Sequence, residues 1–269
     1  MRLKDKIVLI TSAQNPCAKA IAAGFAREGA NCVVLDRDAS KAEQLGAEVR
    51  SLGRRALALQ VDITKKSEIE EAVRRTVAEF GRIDVLINCS GITHESDFLS
   101  FTEEAFNQCI DRGPKAYFLV SQAAGRQMAA QGSGKIINLS STDARIGSGE
   151  STGNSAAYSS IDSMTRAIAQ ALGYYGVNVN SLVCGPMNSF SGTAEEAAER
   201  LRRIPMGRLG TPEDLVGAAI FLATDDSNFV AGEAICVDAG YSNAAVTEDN
   251  FRPAWARTWG EFKVPPRDK

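Results

Sequence analysis

Ile7-Val8-Leu9-Ile10-Thr11-Ser12-Ala13-Gln14-Asn15-Pro16-Cys17-Ala18 opens on an apolar block of strand length and passes, through small and polar residues, into a segment of helical period. An unbroken apolar run this short, closed by a turn, reads as a strand buried on both faces. The same alternation continues outward. Strands are predicted at 7–11, 31–36, 56–63, 84–90, 135–140, 177–183 and 234–237. Helices are predicted at 18–28, 41–51, 68–79, 103–111, 115–130, 156–172, 194–203 and 212–222. Buried strands alternating with helices imply a parallel sheet covered on both sides, and right-handed crossovers make it doubly wound. The expected fold class is α/β: one Rossmann-type domain with a doubly wound parallel sheet over residues 1–240, followed by a C-terminal tail over 241–269. Ligands in such sheets sit at the carboxyl ends of the strands. The tail carries Phe251, Trp255, Trp259 and Phe262, and this aromatic content predicts packing on the domain or on a neighbouring subunit.

Bulk properties narrow the function. The chain has 269 residues, 44% of them apolar, which suits one large core. A net charge of −3 without a clustered basic face argues against nucleic acid and membrane as partners. The apolar run at the N-terminus is too short for a signal segment or a membrane span, so a cytoplasmic location is expected. Six cysteines without a Cys-x-x-Cys pair, and a single histidine, His94, leave no pattern for a metal site. The cysteines read as small buried thiols, although Cys17 near a helix N-terminus is placed to acidify.

Several landmarks occur in order. Asp36 ends the second strand, and Val61-Asp62-Ile63 ends the third. Asp84-Val85-Leu86-Ile87-Asn88-Cys89-Ser90-Gly91 forms the fourth. Ile136-Ile137-Asn138-Leu139-Ser140-Ser141 precedes Tyr158, and Cys184-Gly185-Pro186 and Val237-Asp238-Ala239-Gly240 follow. Over residues 5–240 this order resembles the short-chain dehydrogenase/reductase family. The resemblance implies that Asp36 accepts hydrogen bonds from an adenine-ribose and so favours NAD over NADP. It places Asp62, Ile63, Asn88 and Gly91 among the adenosine contacts. It implies a small-molecule substrate and a homodimer or homotetramer.

The departures are concentrated. The family's phosphate loop reads Thr-Gly-x-x-x-Gly-x-Gly, whereas this chain has Ser12, Pro16 and Ala18 in place of the glycines. Serine adds a Cβ where the turn favours positive φ, and proline removes an N–H; Pro16 also suits the first position of a helix. The family's catalytic set is Asn-Ser-Tyr-Lys. Ser141 and Tyr158 match it at a spacing of 17, which a loop at 148–153 lengthens. Gly113 stands at the asparagine position, counted from Phe106, and Asp162 at the lysine position. An aspartate one helical turn from Tyr158 would keep the phenol protonated, opposite to lysine. Lys115, two residues past Gly113, is a candidate substitute cation, against the alternative of a solvated helix lysine.

These substitutions lead the sequence to be read first as a non-redox enzyme, an eliminase, isomerase or cyclase. In that reading Ser141 and Tyr158 hold and protonate an oxygen, Asp162 takes a proton, and the cofactor is none, or NAD if any. The alternatives are an NAD-dependent oxidoreductase with an atypical cofactor loop and a non-catalytic binding or assembly subunit.

Overall fold

The computed structural model describes residues 1–92, 96–147, 150–188, 201 and 203–243. Its centre is a seven-stranded sheet: β1 (Ile7–Thr11), β2 (Asn31–Asp36), β3 (Ala56–Gln60), β4 (Val85–Asn88), β5 (Gly134–Ser141), β6 (Val177–Cys184) and β7 (Ala234–Val237). The strands lie in the order β3-β2-β1-β4-β5-β6-β7, and every pairing is parallel. Chain order reverses between β1 and β4, and a crevice opens at the carboxyl ends of strands at such a switch point.

The two-residue period of each strand feeds two cores. Val8, Ile10, Cys32 and Val34 face α1 (Pro16–Arg27) and α2 (Ala39–Ser51). Ile7, Leu9, Val33 and Leu35 turn to the other side, where α3 (Lys66–Phe80) and α5 (Ala116–Gln131) pack. Between them lies α4 (Glu103–Ile110); α6 (Thr152–Gly173) and α7 (Val216–Ala223) complete the layers. Both sheet faces are therefore dry, which is why the strands read as continuous apolar blocks.

Among the boundaries that differ from the sequence reading, three have a clear local reason. Helix α1 starts at Pro16 because Asn15 caps it, its side chain accepting from the Cys17 amide at 2.8 Å. Proline costs nothing at that first position, where the amide would have no helical partner. Helix α6 starts at Thr152 and absorbs the end of the inserted loop. The segment predicted as one helix over 212–222 begins as a 3-10 turn, Pro212–Leu215, which Thr211 and Asp214 close as a capping box before α7. The predicted helix at 194–203 and the aromatic tail fall almost entirely outside the described residues. Among the described residues no helix is long and apolar enough to cross a membrane, and no group of three potential ligands is placed to hold a metal ion.

Candidate active site

The crevice at the switch point is a cavity of about 410 Å³, within the range of small-molecule sites. Asp36, Asp62, Ile63 and Gly91 all line it. Asp36 is almost fully buried; its Oδ1 accepts from the Asp38 amide at 2.9 Å and its Oδ2 from the Gln14 amide at 3.2 Å. The carboxylate is thereby fixed with lone pairs left for a further donor. Asp62 braces its own turn, Oδ1 accepting from the Thr64 amide at 3.0 Å and the Thr64 hydroxyl at 2.7 Å. Burial pushes the Asp62 carboxyl up, but the Thr64 donors together with Lys65 and Arg37 hold it below its ordinary value. A Cβ added at Gly91 would meet nothing within 4 Å, so this rim is open to a ligand. Asn88 is placed elsewhere. It is fully buried beneath the crevice, donating to the Ser121 hydroxyl and to Asn138 Oδ1, both at 2.8 Å.

The loop between β1 and α1 keeps the shape of a glycine turn without the glycine. Ser12 sits at φ +59°, a conformation that costs a residue with a Cβ about 1–2 kcal/mol. Cys17 does not acidify at the helix start: burial, and then Glu213, push its thiol up to about 11.

Ser141, which is not part of this cavity's wall, closes β5 at its carboxyl end. Its hydroxyl accepts from the Asp143 amide at 3.2 Å and caps the short turn Thr142–Ala144. The Ser159 hydroxyl ties α6 to the same turn through the Ala144 carbonyl at 3.1 Å. Ser141 and the helix turn bearing Tyr158 are thus held to one loop. Tyr158 is half-buried, and its hydroxyl donates to the Ile92 carbonyl at 3.3 Å. Burial, then the neighbouring Tyr117, Cys184, Cys89 and Asp143, raise its phenol well above the usual tyrosine range. Asp162 is not among these leading influences, so the sequence-based reason for a protonated Tyr158 is replaced by desolvation.

Asp162 itself is on the buried side of α6. It is 8% exposed, and Ser181, Ser140, Arg145 and Arg166 are the groups that act on it. Burial outweighs these four and raises its carboxyl, and Oδ1 has no hydrogen-bond partner. A polar chain leads to it from β5: Asn138 donates to the Thr165 hydroxyl at 2.8 Å, and Thr165 shares a hydrogen bond with Ser181 at 3.0 Å. Lys115 is not the substitute cation at Tyr158, because its Nζ is bonded to Asp111 Oδ1 at 2.8 Å on the wall of the adenosine-side cavity. The glycine at the asparagine position has a packing cause: a Cβ on Gly113 would lie 2.5 Å from Ile92 Cδ1. Gly113 also breaks the helix, at φ −95° and ψ −108°, inside a π turn over Asp111–Lys115. His94 is outside the described residues.

Residues 13–242 match the family model described as enoyl-(acyl carrier protein) reductase. The chain belongs to the short-chain dehydrogenase/reductase family. Among its relatives is a 2-dehydro-3-deoxy-D-gluconate 5-dehydrogenase of Escherichia coli (strain K12), 35% identical over 245 residues, which cover 89% of this chain and 96% of the relative. An NAD-dependent glycerol dehydrogenase of Listeria innocua is 31% identical, with 89% and 95% covered. A gluconate 5-dehydrogenase of Burkholderia cenocepacia, solved in complex with NADP and tartrate, superposes with a TM-score of 0.86 at 29% identity, with 90% of this chain and 97% of that one covered.

These relatives overturn the leading functional expectation. They are dehydrogenases along almost their whole length, so the non-redox reading, with its lyase or isomerase chemistry, has no support. The cofactor-free reading falls with it. One relative is named for NAD and another holds NADP, so the kinship does not choose between the two. Asp162 and Pro16 look like lost chemistry in the sequence, yet the cavity and both Ser141 and Tyr158 are retained. Sequence reasoning also missed Ser90, Gln108 and Arg112 on the cavity wall. The 0, 3, 4, 7 spacing of Gln108, Asp111, Arg112 and Lys115 was the available signal for a shared helical face.

Proposed function

We propose that this protein is a nicotinamide-dinucleotide-dependent oxidoreductase that interconverts a hydroxyl and a carbonyl group on a small polar molecule. The observation that carries the proposal is the kinship with dehydrogenases over nine-tenths of the chain, on a fold whose switch-point cavity presents Asp36 and Gly91. The residues fit the adenosine half of such a cofactor: Asp36 would accept from the ribose hydroxyls, Asp62 and Ile63 would flank the base, and Gly91 leaves room for both. The same buried carboxylate opposes a 2′-phosphate, so NAD is the preferred form. Bound, the dinucleotide supplies or accepts the hydride. Ser141 holds the substrate oxygen by its hydroxyl, and Tyr158 gives that oxygen a proton during reduction. Asp162, one helical turn along α6 from Tyr158, is assigned a positioning role outside the proton path. The substrate class suggested by the relatives is a polyol or keto sugar acid.

Six unpaired thiols suit a reducing, cytoplasmic setting. The exposed Phe118 on α5, a helix beside the site, suits assembly into a homodimer or homotetramer, and light scattering would give its order.

The test is a titration of the full chain with NADH and NADPH by calorimetry, followed by turnover with keto sugar acids read as loss of nicotinamide absorbance. Micromolar NADH binding, weaker NADPH binding and turnover that Tyr158→Phe abolishes are expected. No stabilisation by either dinucleotide at millimolar concentration would overturn the proposal.

A further inference from the structure

The turn that ordinarily meets phosphate in a dinucleotide fold spends its donors internally here. The Gln14 amide goes to Asp36 at 3.2 Å, the Asn15 amide to the Ser12 carbonyl at 2.9 Å, and the Cys17 amide to the Asn15 side chain at 2.8 Å. Pro16 has no amide hydrogen, and the Ala18 amide reaches the Cys89 thiol. Anion binding at a helix start depends on free N–H groups, and Asn15 has closed this one. A diphosphate in the crevice must find its positive charge on another wall.

One such wall is the end of α4 with the π turn that follows it. Gln108, Asp111, Arg112 and Lys115 line the same cavity as Ser12 and Gln14. Asp111 and Lys115 neutralise each other at 2.8 Å. Arg112, exposed at the rim, has no carboxylate partner among the described residues. The π turn and the break at Gly113 set this face against the crevice, and such turns recur at functional sites. A guanidinium offers two parallel donors to a phosphate, a geometry that lysine lacks.

We infer that Arg112 grips the diphosphate of the nucleotide bound in this cavity, taking over the role that the β1–α1 loop has given up. The inference rests on the proposed function only in supposing that the natural ligand is a dinucleotide. Asp36 and Gly91 hold the adenosine end, and Arg112 supplies the charge for the next segment of the ligand.

Calorimetric titration of the full chain, unmodified and as Arg112→Gln and Arg112→Lys, with adenosine, ADP, NADH and NADPH at low and moderate salt tests this. In the unmodified protein ADP should bind at least roughly tenfold more tightly than adenosine, with an advantage that shrinks as salt rises. Arg112→Gln should remove that advantage and weaken both dinucleotides, leaving adenosine unchanged, and Arg112→Lys should fall between. Equal binding of ADP and adenosine by the unmodified protein, or unaltered ADP affinity in Arg112→Gln, would overturn the inference. Dinucleotide binding that ignores Arg112→Gln overturns the arginine assignment and leaves the redox reading standing. Arg112-dependent ADP binding without affinity for either dinucleotide does the reverse.

Discussion

Tyr158 carries the sharpest consequence at the scale of single residues. Its phenol is raised by burial, with no lysine at position 162 to draw it down. A neutral phenol can donate a proton, but accepting one from an alcohol requires the phenolate, and a free phenol reaches half-ionisation only near pH 10. Carbonyl reduction should therefore be flat through neutral pH. Alcohol oxidation should climb about tenfold per pH unit well into the alkaline range, as steady-state rates in both directions would show; a plateau of oxidation near neutrality would contradict it. Asp162 makes a second, thermodynamic prediction. Its folded carboxyl is raised by burial, so between its unfolded and folded values the native state holds more proton than the unfolded chain, and stability falls as pH rises. Asp162→Asn, which cannot ionise, should raise stability at neutral pH by about 1–3 kcal/mol. Chemical denaturation should show that gain vanish below the ordinary aspartate range, near pH 4.

At the scale of elements, the turn between α6 and β6 positions the two segments that frame the reactive end. Gly176 there holds φ +72°, and a Cβ would lie 2.4 Å from the Gly132 carbonyl oxygen. Gly176→Ala should cost more than about 2 kcal/mol, combining backbone strain with a clash against backbone. Because the turn lies at the opposite end of β6 from the crevice, nucleotide affinity of the folded fraction should not change; a denaturant midpoint and a calorimetric Kd separate the two effects. The elements themselves were legible because each strand had to be apolar on both faces: β1, β2 and β7 run as the residue pattern gave them. The start of α1 at Pro16 was less visible, since the deciding group is the Asn15 side chain and its cap. The site was legible only where one residue does one thing. Asp36 and Gly91 stand on the cavity wall, whereas Asn88, on the strand that leads to Gly91, faces inward and bonds to Ser121 and Asn138. Asp162 was visible as a substitution, but its polar company, Thr165, Ser181 and Asn138, comes from α6, β6 and β5 and converges only in three dimensions.

For the molecule as a whole, the parallel sheet gives the protein two unlike ends. The carboxyl ends of β1 to β4 gather Ser12, Asp36, Asp62 and Gly91 around the crevice. The opposite ends gather Asp5, Asn31, Arg54 and Phe80 around a shallower hollow, where Arg54 is already paired with Asp5 at 2.7 Å. The two hollows are of similar size, so volume does not distinguish them; the switch in chain order does, because only at that end do strand termini diverge to admit a ligand. Saturating dinucleotide at about a hundred times its Kd should stabilise the fold by roughly 2.7 kcal/mol, which for a domain of this length amounts to a rise in Tm of about 5–10 °C. The location of the effect is the stronger test. Hydrogen exchange should slow at residues 12–14, 36–38, 62–64 and 108–115 and stay unchanged at 53–55 and 79–81. Protection at the arginine end instead would place the nucleotide on the wrong side of the sheet and undo the assignment of the crevice.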